Sequence, residues 1–336
     1  MYTKLMIFFV RSSPQTYLLL LSLAVLPVTG CGGPDASAVV PASEAPAARI
    51  SPLTVMTYNV QCALCNLERP WMRRLADFSR LIGYHAPDLI AAQELIIPLD
   101  AEHFRASLTT GAQAAAGVAY GSICRVNCDS TIYYRIDRFE LEADGAVWLS
   151  SWPYRYAAWA VLRQRSTGAM FLFVNAHFDN HQPNQERSAK ILAGALEPWL
   201  RRGLPVILAG DFNSSPGGVS IVHEGHQSSQ AGYEVLASFL TNAYDLTARC
   251  DIFTNHADAD SNQFTFDHLI DHIFVGPGGW SIQHWGIDYW WGMSDLAPRP
   301  FYPSDHWPII ARLQFEPGRP AAQRSAKCAP RITVRD

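Results

Sequence analysis

The sequence predicts one large α/β domain, and three observations support this fold class. Short apolar runs typical of buried strands alternate with two longer stretches whose apolar residues have helical spacing. Hydrophobic residues make up 49% and charged residues 17% of the 336 residues, close to the average of globular proteins. Neither an internal repeat nor a change of composition divides residues 51–316. The composition excludes a disordered, collagen-like or polytopic membrane protein.

The predicted elements follow one another from residue 53 to residue 315. Residues 53–60 are rich in β-forming side chains, residues 69–85 have helical spacing, and residues 88–94 are a short buried strand that ends in a carboxylate. A second helix is predicted over residues 185–202, where Pro198 is a point of bending. The other predicted strands are 116–124, 131–135, 139–150, 157–164, 170–176, 205–210, 270–275 and 307–315.

The first 30 residues have the pattern of an export signal. Their apolar core, residues 17–28, has the length of a signal-peptide core and is shorter than the roughly 20 residues that a membrane span needs. It ends in Val28-Thr29-Gly30-Cys31, which resembles a bacterial lipobox, and an ordinary signal peptide is the alternative. The resemblance implies that a lipid on Cys31 anchors the protein at the bacterial cell envelope, either in the outer membrane and periplasm or at the cell surface. Residues 31–50, rich in Ala, Pro, Gly and Ser, are expected to form a flexible tether.

Export also changes what the cysteines are expected to do. If Cys31 is acylated, an even number of cysteines remains, which favours disulfides in an oxidising compartment. The two close pairs either close locally or pair with each other, and the last two cysteines are left to pin the C-terminal tail, residues 317–336. A four-thiolate zinc site is the alternative for the close pairs. The six cysteines are Cys62, Cys65, Cys124, Cys128, Cys250 and Cys328.

Polar side chains recur where the predicted buried strands end. One Asp or His at such a place is usually a solvated strand end, but several of them indicate a shared site. Carboxylate and amide oxygens suit Mg²⁺, Mn²⁺ or Ca²⁺, and histidines transfer protons near neutral pH. The candidates are Asn59, Glu94, His177, Asp179, Asp211, Asn213, Asp271, Asp305 and His306.

Seven stretches resemble, in order, the motifs of the endonuclease/exonuclease/phosphatase superfamily. The resemblance implies a four-layer αββα sandwich, in which two mixed β-sheets face each other and helices cover them. The site is then expected at one edge, where loops from both sheets meet. The stretches are TYNV (57–60), PDLIAAQE (87–94), TIYYR (131–135), NAHFD (175–179), GDFN (210–213), IDHIFV (270–275) and SDHWP (304–308).

The resemblance further implies metal-dependent hydrolysis of a phosphodiester. Glu94 matches the metal-binding glutamate of the family, Asn59 its neutral neighbour, and Asp305 a further carboxylate on the metal side. Gln61 stands where some relatives have a second carboxylate, so one metal ion is expected rather than two. Mg²⁺ is the expected ion, with Mn²⁺ or Ca²⁺ as alternatives.

The other matched residues are implied to handle protons and phosphate oxygens. His306 matches a histidine that serves as general base or phosphate contact, and Asp271 matches the partner that fixes its tautomer. Asp211 and Asn213 match residues that orient the attacking water and a phosphate oxygen. Whether Asp211 or His306 is the general base stays open at this stage.

The family's second histidine is matched by His177, which is implied to stabilise the pentavalent transition state. Asp179 is expected to support it. Neither a cysteine nucleophile nor an organic cofactor is required, and no obligate protein partner is expected.

A nuclease-type phosphodiesterase is the expected activity. A phospholipid-headgroup (sphingomyelinase-type) phosphodiesterase or a phosphomonoesterase is the first alternative, and a catalytically silent binding module is the second. The net charge of −4 argues against a broad basic face that grips duplex DNA, but not against an enzyme that contacts a few phosphates.

An aromatic segment over residues 280–291 precedes the last motif. Core packing on an edge strand is the expected role of its tryptophans. The alternative is an exposed tip at Trp290 and Trp291 that enters a lipid interface or stacks on bases.

Overall fold

We describe the protein from a computed structural model. It describes residues 48–109, 117–151, 154–181, 183–217, 229–247, 249–254, 269–289, 292–294, 297–320 and 331–334. The predicted signal peptide, most of the tether, Trp290, Trp291 and Cys328 lie outside these residues. No helix within the described residues is both long and apolar enough to cross a membrane.

Sixteen strands and five helices are formed by the described residues. The helices are α1 (Trp71–His85), α2 (Pro98–Leu108), α3 (Asn184–Arg201), α4 (Gln230–Ala237) and α5 (Ala243–Leu246). The strands are β1 (Ile50–Asn59), β2 (Leu89–Gln93), β3 (Tyr120–Ile123), β4 (Ser130–Arg135), β5 (Phe139–Ser151), β6 (Tyr154–Gln164), β7 (Met170–His177), β8 (Val206–Asp211), β9 (Thr241–Asn242), β10 (Cys250–Thr254), β11 (Asp271–Val275), β12 (Trp280–Tyr289), β13 (Gly292–Ser294), β14 (Ala297–Phe301), β15 (Ile309–Phe315) and β16 (Arg331–Val334).

Two mixed β-sheets form the centre of the fold. The eight-stranded sheet has the order β16-β10-β12-β15-β1-β2-β4-β3, and the six-stranded sheet has the order β5-β6-β7-β8-β11-β9. In the first sheet β1 is parallel to β2 and antiparallel to β15, and in the second β7 is parallel to β8 and antiparallel to β6. The short pair β13-β14 stands apart.

The alternation of side chains along each strand builds the layers. Val55 of β1 belongs to the same buried cluster as Phe171 of β7 and Ile207 of β8, so one face of β1 packs against the other sheet. Tyr58 points the opposite way and packs edge-on against Phe78 of α1, with ring centroids 5.5 Å apart. On the far side, Trp199 of α3 packs on Trp159 of β6 at 5.6 Å. These packing contacts confirm the predicted αββα sandwich in a single domain.

The element prediction needs correction in two respects. It omits three helices, α2, α4 and α5, and five strands, β9, β10, β13, β14 and β16. Helix α2 has few buried apolar side chains, so its sequence shows little helical spacing, although Pro98 in its first turn is typical of a helix start. The aromatic strand β12 is not an edge strand, since it lies between β10 and β15. Its Trp280 and Trp285 are nevertheless 2% and 3% exposed, as core packing requires.

The cysteines form disulfides within their close pairs. Cys62 is bonded to Cys65 and Cys124 to Cys128, so these sulfurs offer no thiolates for the alternative zinc site. Cys250 is also disulfide-bonded. Its predicted partner, Cys328, lies outside the described residues.

Candidate active site

Strand ends from both sheets meet at one edge of the sandwich. Strand β1 ends at Asn59, and β2 ends one residue before Glu94. In the other sheet His177 at the end of β7 pairs in register with Asp211 at the end of β8, and Asp211 pairs with Asp271 at the start of β11. The predicted clustering of these residues at one edge is therefore what the sheet register produces.

A glycine lets β7 and β8 approach closely just before this edge. Gly210 lies opposite Ala176, and a Cβ atom at residue 210 would collide with the carbonyl oxygen of Ala176. The following residues, His177 and Asp211, are thereby brought side by side. The close packing of β7 against β8 therefore requires the glycine of the GDFN motif.

Asn59 connects the two sheets at the site. Its Nδ2 donates to Oε1 of Glu94 at 2.9 Å and to Oδ2 of Asp211 at 3.0 Å. The other oxygen of Glu94 accepts a hydrogen bond from the backbone N–H of Cys62 at 2.8 Å. Both oxygens of this carboxylate are therefore held in place by groups on or just after β1.

Several residues of the site have left-handed backbone conformations. The φ angles are +68° at Glu94, +52° at Gln61 and +47° at Asn213. This region is sparsely populated by non-glycine residues, and each such residue costs of the order of 1–3 kcal/mol. Their concentration at one edge indicates that the surrounding contacts impose the geometry of the site.

Two histidines lie close to the same oxygen of Asp211. Nε2 of His177 lies 3.6 Å and Nε2 of His306 lies 3.8 Å from Oδ2 of Asp211. Each imidazole is held at its other nitrogen by a second carboxylate, Asp129 for His177 at 3.1 Å and Asp271 for His306 at 2.7 Å. The result is a continuous carboxylate–imidazole chain whose centre is Asp211.

The electrostatics of this chain favour protonated imidazoles. Burial opposes the charge on His306, but Asp271 and Asp211 outweigh it and hold its pKa well above the ordinary value. Burial also raises the pKa of Asp271. Because three carboxylates, including Asp305, act on His306, the proton of the pair resides on the imidazole.

The pair of His177 and Asp129, at the other end of the chain, behaves in the same way. Burial and Arg155 oppose protonation of His177, but Asp129 and Asp211 raise its pKa. Burial opposes ionisation of Asp129, yet His177 and Arg155 lower its pKa to about 2. Arg155 contacts Asp129 directly at 3.0 Å.

Asp129, rather than Asp179, supports His177. Asp179 accepts hydrogen bonds from His181 and Asn184 at the start of α3, so the predicted contact with His177 is wrong. The other site residues are polar residues at the ends of strands, whereas Asp129 directly precedes β4. Since β4 is antiparallel to β2, the start of β4 lies at the same edge as the end of β2.

Asn213 lies two residues after Asp211 and helps to hold the carboxylate of Asp211 in place. Its backbone N–H donates to Oδ1 of Asp211 at 2.9 Å, and its side-chain amide donates to the carbonyl of Phe178 at 3.1 Å. Oδ1 of Asp211 is thus occupied, and Oδ2 faces the two histidines and Asn59.

Ser304 attaches the SDHWP motif to the site through two hydrogen bonds. Its hydroxyl donates to the backbone carbonyl of Asn59 at 2.7 Å, and its oxygen accepts the N–H of His306 at 3.1 Å. Asp305 is exposed, and among the contacts of the described residues it has none with Glu94 or Asn59. Asp305 and Glu94 both act electrostatically on Arg74, and the assignment of Asp305 to the metal side stays a prediction.

The oxygen-rich side of the site suits a divalent cation. Glu94 is partly exposed. The amide oxygen of Asn59 accepts the N–H of Gln61 at 3.0 Å and keeps a second lone pair, so both residues can offer the hard oxygen ligands that Mg²⁺ takes. The ligand atoms of Asp211, Asp271 and His306 also lie within 4.8 Å of one another, and Oδ1 of Asp271 is buried without a hydrogen-bond partner. Because this second group is already charge-compensated by imidazoles, Glu94 and Asn59 are the better position for an ion.

The fold and this site define a metal-dependent hydrolase of phosphoric esters. The sequence model of the Endonuclease/Exonuclease/phosphatase family matches residues 56–306, and the chain belongs to that family. Membership in this class of enzymes disfavours the alternative of a silent binding module.

Solved structures support the same assignment. An endonuclease/exonuclease/phosphatase family protein from Bacteroides thetaiotaomicron is 26% identical, with a TM-score of 0.60 over 80% of this chain and 99% of that chain. The mannosyl-6-phosphatase Bt3783 of the same organism is 26% identical, with a TM-score of 0.59 over 78% and 99%. The human Nocturnin catalytic domain, at 18% identity, a TM-score of 0.57 and coverage of 79% and 94%, shares the fold. The comparison with curated proteins found no significant match.

Proposed function

We propose that the protein is an exported, lipid-anchored phosphodiesterase of nuclease type that hydrolyses its substrate by attack of water at phosphorus. One observation carries the proposal, namely the carboxylate–imidazole chain centred on Asp211 and placed one hydrogen bond away from the two residues proposed to hold a metal. The chain consists of Asp129, His177, Asp211, His306 and Asp271, and the ligands are Asn59 and Glu94.

The raised pKa values decide how protons move in this proposal. With both imidazoles protonated, Asp211 is the group at the centre that accepts a proton from the attacking water. His306 and His177 then donate hydrogen bonds to phosphoryl oxygens on which negative charge develops. A bound divalent ion supplies charge neutralisation of the phosphate, and Glu94 and Asn59 are the residues that hold it.

Lysines contribute little cationic charge at the candidate site. The lysines of the chain are Lys4, Lys190 and Lys327, and Lys190 is paired with Glu186 on α3. Arg155, which borders the site, is already paired with Asp129. The charge of a bound phosphate would therefore be met by the two imidazoles and the divalent ion rather than by a lysine or by Arg155.

An aromatic pair at the same edge suits a substrate that carries bases. Trp148 at the end of β5 and Tyr154 at the start of β6 are 48% and 56% exposed, with ring centroids 6.2 Å apart. Tyr154 precedes Arg155, which is linked through Asp129 to His177. Stacking of a base on an exposed aromatic ring contributes about 1–3 kcal/mol.

A small-molecule phosphomonoesterase is the second candidate. It is favoured by the 26% identity to a mannosyl-6-phosphatase over 78% of this chain. A sphingomyelinase-type activity remains the alternative for an enzyme held at a membrane.

A substrate panel separates these activities. Supercoiled plasmid, bis-p-nitrophenyl phosphate, mannose 6-phosphate and sphingomyelin vesicles are each incubated with the protein and Mg²⁺, with EDTA and a His306→Ala variant as controls. Metal-dependent nicking that the variant lacks supports the nuclease. Hydrolysis of mannose 6-phosphate without nicking would replace it with the second candidate. Anchoring is tested by Cys31→Ser, which should move the protein from the membrane fraction to the soluble fraction.

A further inference from the structure

Arg74 of α1 is a charged side chain in an unusual place. It is 0% exposed, and its guanidinium lies 5.1 Å from the ring centroid of Trp71 and 5.8 Å from that of Phe78. Burying a charge costs several kcal/mol unless its hydrogen bonds are made. An apolar residue would fill the same volume without that cost, so the contacts of the guanidinium need an explanation.

The guanidinium binds backbone carbonyls from two segments that are distant in the sequence. Nη1 donates to the carbonyls of Val60, Gln61 and Pro303 at 2.7, 2.9 and 3.1 Å, and Nη2 donates to that of Cys62 at 2.8 Å. The first segment, residues 60–62, follows β1. The second ends directly before the Ser304 motif. One side chain therefore joins the two segments behind the site.

Both segments carry groups that define the site. The N–H of Cys62 holds Oε2 of Glu94, and the hydroxyl of Ser304 binds the carbonyl of Asn59 and the N–H of His306. A shift of either segment would move a metal-side group relative to the imidazole of His306.

The charge of Arg74 also acts on the metal side. Burial lowers the pKa of its guanidinium, while Tyr58, Asp305 and Glu94 oppose that effect. Both carboxylates are predicted metal-side residues, so the buried cation acts on the same negative charges that a divalent ion would compensate. The four carbonyl contacts and this charge both connect Arg74 with the metal side of the site.

We propose that Arg74 is a positioning residue for the divalent ion. It fixes residues 60–62 against the Ser304 segment, so that Glu94 and Asn59 are held in their ligand geometry before the ion arrives. The Cys62–Cys65 disulfide closes the first segment from its other end. The proposal rests on the metal-dependent activity of the family but not on the choice of substrate.

Arg74→Lys is the variant that tests this role. Lysine keeps the charge but has a single ammonium on a flexible stem, and it cannot reproduce the planar fork that reaches four carbonyls. Loss of a residue that orients metal ligands typically weakens metal binding about 10- to 100-fold. We therefore expect the Kd for Mn²⁺ to rise by that factor.

The matched control is Arg138→Lys. Arg138 also donates to a backbone carbonyl, that of Pro52 at 3.0 Å, and pairs with Asp88, but it does not contact the site segments. Mn²⁺ binding to the full-length wild-type protein and both variants is measured by calorimetry without substrate, and melting temperatures are recorded in EDTA. Weak binding in Arg74→Lys alone supports the proposal. An unchanged Kd in folded Arg74→Lys, or an equal loss in both variants, overturns it.

A second variant keeps the proposal testable if Arg74→Lys does not fold. In Cys62→Ser/Cys65→Ser the disulfide is gone and Arg74 alone holds residues 60–62. Mn²⁺ affinity within threefold of wild type supports Arg74 as the residue that mainly holds residues 60–62 in place. A loss of tenfold or more would assign the positioning to the disulfide and overturn the proposal. Since no substrate is present, failure of the nuclease assignment leaves both results interpretable.

Discussion

The two sheets contribute differently to the site. The eight-stranded sheet supplies Asn59 and Glu94, and Glu94 is partly exposed on a left-handed backbone just after its strand. The six-stranded sheet supplies His177 and Asp211, which are 2% and 1% exposed and belong to the strands themselves. Asn59 is itself 1% exposed, so Glu94 is the accessible member of the first half. The difference indicates a division of labour, in which Glu94 exchanges an ion with solvent and the buried half keeps the pKa values that proton transfer needs.

The largest expected effect comes from His306, which precedes β15 of the eight-stranded sheet but contacts Asp211 and Asp271 of the buried half. His306→Ala should lower kcat by about 10²–10⁴, because a positioned acid or base contributes that factor. The Kd for Mn²⁺ should stay within threefold of wild type, as measured by calorimetry on the same protein. A large loss of metal affinity would break the comparison, since it would place the ion on the Asp211, Asp271 and His306 group instead.

Glu94→Gln should show the opposite pattern. Removing the charge of the accessible carboxylate should weaken Mn²⁺ binding about 10- to 100-fold, and excess metal should restore part of the activity. Activity is measured as a function of Mn²⁺ concentration on bis-p-nitrophenyl phosphate. If saturating metal restores nothing while the Kd is unchanged, Glu94 acts outside the metal site.

The sequence indicated most of the site because buried strands are easy to recognise. The run PVILAG (205–210) is apolar on both faces, so the polar Asp211 that follows it stands out. The same holds for His177 after residues 170–176. Strand register then brings these residues together without further information, as the pairing of His177 with Asp211 shows.

Two residues could not be found in this way. Asp129 precedes its strand, and only the antiparallel pairing of β4 with β2 brings it to the catalytic edge. Arg74 lies on the apolar face of α1, three residues after Trp71 and four before Phe78, where an arginine is normally expected at the solvent side. In both cases the partner is far away in the sequence, so local patterns carry no signal of the contact.

The variants Asp129→Asn and Asp179→Asn test whether Asp129, rather than Asp179, supports His177. Asp129→Asn removes the charge that keeps His177 protonated, so kcat should fall tenfold or more, part of the roughly 10²–10⁴ that such a group contributes. Asp179→Asn should lower kcat less than tenfold, because Asp179 contacts the start of α3. Steady-state rates of both variants at saturating metal decide the matter, and a larger loss in Asp179→Asn would restore the original prediction.

The smallest expected effect concerns stability as a function of pH without metal. His306 and His177 have folded-state pKa values above their ordinary value, which is about 6.5 in an unfolded chain. A raised folded pKa means that the folded state binds the proton more tightly than the unfolded state. The stabilisation is therefore complete below about pH 6.5 and is lost as the pH rises through the raised values. The melting temperature in EDTA should therefore fall as the pH rises above about 6.5. His306→Asn should flatten that decline, whereas Asn at His181, which is 59% exposed, should leave it unchanged. An equal slope in wild type and His306→Asn would mean that the buried half does not hold its protons, and the contrast between the two halves would lose its physical basis.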